Sequence, residues 1–233
     1  CFAAGFSELG DAGRQQQTKL AAHAGALALI GPNSTGFLNY FDRVALWPVA
    51  DHSPARLDEG IAILSSSGGV LFNYCVNQRS LNTGIMIGVG NQAVLDYSDY
   101  LHVLAAEAKV RAIGLIVEDL GDTVSFSRAA AEAVKLDKPV VVLKSGRSEI
   151  GARVAQTHSG ALVADDDMVT ATLKRVGAIR VGSLPELDET LKMLTATRRP
   201  QGRRVAVLTN SGGEKALAAD AAVDTVLEFP APS

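Results

Sequence analysis

Short apolar runs rich in β-branched residues alternate along the chain with stretches of helical periodicity. Such alternation is typical of βαβ units whose strands form a parallel sheet. Several of the runs are continuously apolar, as expected for strands that helices cover on both faces. The predicted strands are residues 26–30, 61–65, 85–89, 112–117, 140–143, 179–181 and 205–209.

The stretches with helical periodicity fall between these runs. One of them begins at Pro185, two residues after Ser183. Proline is tolerated in the first turn of a helix, and serine is a favoured cap, so this helix should begin there. The predicted helices cover residues 11–24, 69–78, 96–108, 123–136, 166–176, 185–195 and 214–223.

Two breaks in the pattern divide the chain into three parts. Residues 47–58 contain proline and histidine without periodicity, and residues 198–204 carry four arginines around a proline and a glycine. We therefore predict a partial domain at 1–46, a complete α/β domain at 57–197, and the opening strand and helix of a third domain at 203–233. Because the first residue is a cysteine, we expect the chain to be a piece of a longer polypeptide.

Composition and charge limit the partners. Hydrophobic residues make up 47% and charged residues 20% of the 233 residues, which is ordinary for a globular protein. The net charge is −3 and no basic block stands out, so no nucleic-acid partner is predicted. No apolar run reaches the roughly 18–20 residues of a transmembrane helix, so no membrane partner is predicted either. The two cysteines cannot build a disulfide framework, which favours a reducing compartment such as the cytoplasm.

Three predicted strands run into small, glycine-rich turns that open helices. Such turns expose backbone N–H groups at the positive end of a helix dipole, an arrangement that binds anions such as phosphate. Serine and glycine also cap helices that bind nothing, so one such turn is weak evidence. Two near copies of Ser-Gly-Gly in consecutive parts of the chain are more suggestive. The turns are Ser65-Ser-Ser-Gly-Gly69, Gly88-Val-Gly-Asn91 and Thr209-Asn-Ser-Gly-Gly213.

Two side chains are candidates for chemistry. His158 lies between Thr157 and Ser159 in a segment that predicts a loop. Its imidazole titrates near working pH and suits a nucleophile or general base, although a surface or capping histidine is the alternative. Glu118 closes a predicted strand, and α/β folds place active sites at the carboxyl ends of parallel strands. A solvated strand end is the alternative interpretation for Glu118.

No metal site is predicted. The other histidines form no pair with metal-ligand spacing. Asp165, Asp166 and Asp167 could suggest a metal, but three acids at the start of a helix also suit the helix dipole. We favour the helix-start interpretation.

Six motifs together resemble those of the NDP-forming acyl-CoA synthetases, relatives of succinyl-CoA synthetase. They occur in the family's order and cover nearly the whole chain. The segments Ala45-Leu-Trp-Pro48 and Ser211-Gly-Gly-Glu214 look most like the feruloyl-CoA synthetase-like branch. The six motifs are Gly31-Pro-Asn-Ser-Thr-Gly36, Ser65-Ser-Ser-Gly-Gly69, Gly88-Val-Gly-Asn91, Lys144-Ser-Gly-Arg-Ser148, Thr157-His-Ser-Gly-Ala-Leu162 and Thr209-Asn-Ser-Gly-Gly213.

The resemblance implies an α/β architecture of three related parts. Residues 57–197 would form a flavodoxin-like, succinyl-CoA ligase-like domain with a parallel five-stranded sheet, helices on both faces and the active histidine. Residues 1–46 would be the C-terminal part of a CoA-binding Rossmann-like domain. Residues 203–233 would begin a second ligase-CoA domain of flavodoxin-like fold.

The resemblance also implies a reaction and a set of roles. A carboxylic acid, ATP and CoA would give an acyl-CoA, ADP and phosphate through an acyl phosphate and a phosphohistidine. His158 matches the phosphorylated histidine, Glu118 the acid that orients its ring, and Asn33 a motif near the CoA thiol. A carboxylate at one ring nitrogen fixes the tautomer and leaves the other nitrogen neutral for attack. The residues that match two helix N-termini facing the phosphate are Ser67, Gly68, Gly69, Ser211, Gly212 and Gly213.

The chain departs from the family pattern in several ways. It lacks the upstream glycine-rich turn of the CoA-binding domain and the ATP-grasp domain, so ATP with its Mg²⁺ is expected in an ATP-grasp domain outside this chain. Ser34 stands where many relatives carry cysteine, and Ser66 where many carry glutamine. The family further implies a homo-oligomer.

An acid–thiol ligase is the leading hypothesis. The alternative is a non-catalytic regulatory module within a larger protein, such as one fused to an acetyltransferase. The presence of both His158 and Glu118 favours the enzyme. A generic flavodoxin-like nucleotide binder is a third hypothesis. The acyl group stays open among acetyl, another short acid and an aryl acid such as ferulate.

Overall fold

The computed structural model describes residues 1–49, 57–76, 79–151, 153, 165–196, 198 and 200–230. They fall into two compact units, Cys1–Thr195 and Ala196–Ser233. No helix within these ranges is long and apolar enough to cross a lipid bilayer.

A seven-stranded sheet forms the framework of the first unit. Its strands lie in the order β2-β1-β4-β3-β5-β6-β7. Numbered along the chain, they are β1 (Gly36–Asn39), β2 (Val44–Leu46), β3 (Gly60–Ser65), β4 (Thr83–Gly88), β5 (Val110–Val117), β6 (Val140–Lys144) and β7 (Ile179–Val181).

The five strands from β3 to β7 pair in parallel. Counted from β3, their spatial order is 2-1-3-4-5, which is the flavodoxin arrangement. This confirms the predicted fold of the central part of the chain. The central strand β3 is buried along its whole length, as its continuously apolar sequence predicts.

Helices cover both faces of this sheet. On one face α2 and α6 bury Leu71, Leu187 and Leu191 against the strands. On the other face α3, α4 and α5 pack, and α4 turns an apolar stripe inward that includes Phe126 and Ala130. The helices of the first unit are α1 (Asp11–Ala24), α2 (Gly68–Cys75), α3 (Tyr97–Ala106), α4 (Thr123–Lys135), α5 (Asp166–Val176) and α6 (Leu184–Thr195).

Strands β1 and β2 were not foreseen by the apolar pattern. They extend the sheet beyond β4 by antiparallel pairing, with Phe37 opposite both Ile87 of β4 and Leu46 of β2. The pairing joins the end of the first predicted part of the chain to the sheet of the second. The domain boundaries at 46 and 57 stay a prediction.

Two predicted strands are wrong. Residues 26–30 are apolar but mostly exposed, and they form no strand. Residues 205–209 likewise form no strand. Strand structure needs a neighbouring backbone to accept and donate ladder hydrogen bonds, and an apolar sequence does not supply that neighbour.

The second unit contains α7 (Gly212–Ala221). Its other regular feature among the described residues is an isolated parallel bridge between Arg204 and Glu228. There the Val205 N–H donates to the Glu228 carbonyl at 2.9 Å.

Candidate functional site

The carboxyl ends of the parallel strands meet at one edge of the sheet. The connection that leaves β3 runs toward β4 on one side, and the connection that leaves β5 runs toward β6 on the other, so a crevice opens between the ends of β3 and β5. Ser65, the last residue of β3, lies opposite Ile116 of β5. The residues that follow, from Ser66 and from Glu118 onward, therefore flank the crevice. This is where α/β folds bind ligands.

The first Ser-Gly-Gly turn presents the N-terminus of α2 at this crevice. Ser67 is the N-cap in extended conformation, and its side chain caps no N–H of the helix. The Ser65 hydroxyl instead accepts from the Ser67 N–H at 3.0 Å and donates to the Ser67 carbonyl at 2.9 Å. Gly69 is exposed, with open space where a Cβ would lie. The first-turn N–H groups are thus available for an anion.

A second motif packs tightly against this turn. A Cβ built on Gly68 would lie 2.1 Å from the Thr35 methyl group, and one on Gly88 would lie 2.1 Å from the Thr35 hydroxyl. The loop of residues 31–36 therefore fits between the ends of β3 and β4 because both positions lack a side chain. Three of the six sequence motifs meet at this point.

Asn33 lies in the same loop. It adopts a left-handed conformation with φ of 54°. Its side-chain amide donates to the Asn91 side-chain oxygen at 3.4 Å, and the Asn91 N–H donates to the Pro32 carbonyl at 2.8 Å. Ser34 is buried, and its hydroxyl donates to the Gly88 carbonyl while accepting from the Gly36 N–H. These bonds place Asn33 beside the second glycine-rich turn.

Tyr97, the first residue of α3, is bonded to the end of β5 at the crevice, a role that was not predicted from the sequence. Its hydroxyl is buried and donates to the Ile116 carbonyl at 3.2 Å, the same carbonyl that accepts from the Ser66 N–H at 3.2 Å. Burial raises the pKa of the Tyr97 hydroxyl, hydrogen bonding with Ser66 opposes the rise, and the Glu118 carboxylate adds to it. Tyr97 therefore stays a donor that ties the end of β3 to the end of β5. No sequence signal distinguishes it from a core aromatic.

Glu118 is half-buried and follows β5 directly. Its charge acts on both Tyr97 and Lys144, whose pKa values respond to it. The structure thus places this predicted carboxylate at the crevice, next to the end of β3.

A cleft of about 920 Å³ lies along the same edge of the sheet, around the end of β6. We call it the β6 cleft. Lys144 is buried at its wall, with 1% of its surface exposed. Lys144 belongs to one of the six sequence motifs, but no role was predicted for it. The lining residues are Val70, Ile116, Leu143, Lys144, Ser145, Gly146, Arg147, Ser148, Gly151, Asp166, Thr170, Arg180, Gly182, Ser183 and Leu184.

The acids at the start of α5 serve the helix and its neighbour. Asp165 caps α5 by accepting from the Asp167 N–H at 2.8 Å. Asp166 pairs with Arg180 at 2.5 Å. Within the described ranges, no group of three or more His, Cys, Asp or Glu side chains is arranged to hold a metal ion.

Two predicted features cannot be placed beside this crevice. His158 and its motif lie outside the described residues, so its pairing with Glu118 stays a prediction. The second Ser-Gly-Gly turn belongs to the second unit. There the Ser211 hydroxyl accepts from the Glu214 N–H at 3.3 Å and caps α7.

Known proteins that are similar to this chain include subunits of CoA ligases and a CoA synthase. The α subunit of an ADP-forming acetate–CoA ligase II from Pyrococcus furiosus is 33% identical over 93% of this chain and 47% of its own length. A trans-feruloyl-CoA synthase from an unknown prokaryotic organism is 32% identical over 98% of this chain and 33% of its own length. The chain thus spans about a third to a half of these curated relatives.

A solved structure has a fold similar to that of this chain. The acetyl-coenzyme A synthetase 1 of Ca. Korarchaeum cryptofilum, in complex with phosphate and ADP, matches with a TM-score of 0.86 and 27% identity, over 100% of this chain and 50% of that one. Residues 58–194 also match the family described as the succinyl-CoA ligase-like flavodoxin domain. The chain therefore belongs to the succinyl-CoA ligase-like family, as its six motifs predict.

Proposed function

We propose that this chain is part of an acid–thiol ligase that converts a carboxylic acid, CoA and ATP to an acyl-CoA, ADP and phosphate. The observation that carries the proposal is the uncapped N-terminus of α2 at the crevice beside Glu118. The relatives named as ADP-forming acetate–CoA ligases support the same reaction. Because the chain spans about a third to a half of its relatives, ATP and its Mg²⁺ would bind in an ATP-grasp domain outside it, within a homo-oligomer.

The reaction would proceed in three transfers. His158 attacks the γ-phosphorus of ATP, and ADP leaves. The carboxylate of the acid then attacks the phosphohistidine, which gives the acyl phosphate and frees the imidazole. Finally the sulfur of CoA attacks the acyl carbonyl, phosphate leaves, and the departing phosphate takes up the thiol proton.

Several residues of the chain would bind or orient the groups that react in these transfers. The N–H groups at Ser67, Gly68 and Gly69 would stabilise the charge that the transferred phosphoryl group carries, which is most of what such transfers require. Glu118 would hold the imidazole in the tautomer with a free attacking nitrogen. Ser211, Gly212 and Gly213 would form a second helix N-terminus for the phosphate, and Asn33 would lie near the CoA thiol.

The test uses the full-length protein and ATP labelled in the γ-phosphoryl group. We expect an acid-labile, base-stable phosphoryl adduct that His158→Ala abolishes together with acyl-CoA formation. Glu118→Gln should slow phosphorylation by on the order of 10²-fold, since it removes an orienting hydrogen bond but not the acceptor. His102→Ala is the matched control, because His102 is exposed and pairs with Glu132 on the helical surface.

Acyl-CoA formation by His158→Ala at near wild-type rate would show that the phosphohistidine route is wrong. Wild-type protein that makes neither adduct nor thioester with acetate, 4-hydroxybutyrate or ferulate would instead favour the regulatory module.

A further inference from the structure

The β6 cleft contains a buried cation whose hydrogen bonds are mostly unused. The Lys144 ammonium has three N–H donors, and within the described residues it donates to the Ser145 carbonyl at 3.0 Å. No carboxylate in the described part of the chain forms an ion pair with it. Burying a cation without a partner is costly, so such a site favours an anionic ligand.

Nearby charges act on Lys144 only through space. Burial lowers the pKa of the Lys144 amine, the Asp166, Asp119 and Glu118 carboxylates act against this, and the Arg180 guanidinium acts with it. Asp166 is itself paired with Arg180 at 2.5 Å. Hence the acid of the described lining is already paired with Arg180, and Lys144 has no carboxylate partner of its own among the described residues.

The described lining of the cleft is mainly cationic in charge. It carries the cationic side chains of Lys144, Arg147 and Arg180, and among its described residues Asp166 is the one acid. A ligand with a negative group is therefore attracted to it.

Part of the described lining is apolar. It includes Val70, Ile116, Leu143 and Leu184. Inorganic phosphate would gain nothing from such a wall, whereas a carboxylate with an apolar body would bury that body there. A volume of about 920 Å³ is large for acetate.

The cleft also adjoins the phosphate turn. Val70 follows Gly69 in the first turn of α2, so one helix carries both the free N–H groups and part of the apolar wall. A carboxylate in this cleft would lie next to a phosphoryl group held at the turn.

We propose that the β6 cleft is the binding site for the carboxylic acid substrate, with the carboxylate against Lys144 and an apolar acyl body against Val70 and Leu184. This inference rests on the proposed function. The inference adds a binding site for the acid substrate and a chemical class for that substrate, namely carboxylic acids with an alkyl or aryl body larger than acetate.

The experiment uses the full-length protein with benzoate and acetate as probes. By calorimetry, wild-type protein should bind benzoate more tightly than acetate, and Lys144→Met should weaken benzoate binding by about tenfold or more, the loss expected for one charged hydrogen bond. Lys144→Met should still form the phosphoryl adduct with ATP, because that step needs no acid. Lys135→Met is the control, since Lys135 is exposed at the end of α4.

Each outcome decides a separate question. Unchanged benzoate binding in Lys144→Met, or no preference for benzoate over acetate in the wild type, would overturn the cleft assignment. If the wild-type protein forms no phosphoryl adduct with ATP, the proposed function is overturned instead. Thermal melting monitors folding of the variant, and Lys144→Gln, which keeps a polar side chain but removes the positive charge, should also weaken benzoate binding.

Discussion

The two Ser-Gly-Gly turns have nearly the same sequence and different surroundings. The first follows β3, which is buried along its length and paired on both sides. The second follows residues 205–209, which alternate between exposed and half-buried positions and form no strand. The Ser211 hydroxyl caps its own helix, whereas the Ser67 hydroxyl caps nothing in the described structure.

This difference shows how tertiary packing changes the use of one local motif. Serine before two glycines begins a helix in both places, because serine is a favoured N-cap. At Ser211 the side chain satisfies one orphan N–H of the helix itself. At Ser67 the corresponding N–H group is not capped, so the first turn leaves more of its N–H groups to an anion than the second turn does.

The largest expected effect on stability comes from the different packing around the glycines of the two turns. Gly68→Ala places a methyl group 2.1 Å from the Thr35 methyl, and Thr35 is also confined by Gly88. We expect a loss of about 1–3 kcal/mol in the free energy of unfolding, as for other overpacked sites. Gly212→Ala meets nothing within 4 Å and should gain about 0.4–1 kcal/mol. Urea denaturation measures the free energy of unfolding of both variants. An equal gain in both would show that the loop at Thr35 shifts to accommodate the added methyl group.

A smaller effect tests the support beneath the first turn. Tyr97→Phe removes the hydrogen bond to the Ile116 carbonyl and should cost about 1 kcal/mol of unfolding free energy. Tyr100→Phe is matched, because Tyr100 lies on the same helix and its buried hydroxyl has no hydrogen-bond partner in the described structure. That variant should be neutral or slightly stabilising in the same denaturation measurement. Equal losses would remove the role assigned to the Tyr97 hydroxyl.

The smallest effect compares the two capping serines directly. Ser211→Ala should destabilise α7 by about 0.5–1 kcal/mol, because the N-cap hydrogen bond is lost. Ser67→Ala should change stability by less than about 0.5 kcal/mol without ligand. Hydrogen exchange of the first-turn amides of α7 and α2 reports each helix separately. A larger loss at Ser67 than at Ser211 would reverse the comparison.

Much of the central fold could be predicted because its signals are local. The helices at Asp11–Ala24 and Asp166–Val176 begin and end at the residues that the helical periodicity predicts. Each of the five parallel strands overlaps a predicted apolar run, and several of these runs are continuously apolar. In contrast, β1 and β2 have short, partly exposed sequences, and their pairing with β4 depends on a neighbour distant in the chain.

The candidate site divides in the same way. The sequence places Ser67, Gly68 and Glu118 after strands, and the parallel order of the sheet makes these positions adjacent. Lys144 is the last residue of β6, and nothing in its sequence motif indicates that it is buried. Its burial in the wall of the β6 cleft is apparent only from the tertiary structure. Tyr97 has the same sequence appearance as Tyr100, although the two hydroxyls differ in their partners.

The sequence by itself determined the family, the alternation of strands and helices, and the residue types at each turn. Those features depend on periodicity, on capping and on spacing along the chain, which operate over a few residues. Only the tertiary structure decided which turn keeps free N–H groups, where the buried cation lies, and which tyrosine ties β3 to β5. These depend on contacts between segments far apart in sequence, because burial and hydrogen-bond satisfaction are properties of the neighbours that folding brings together.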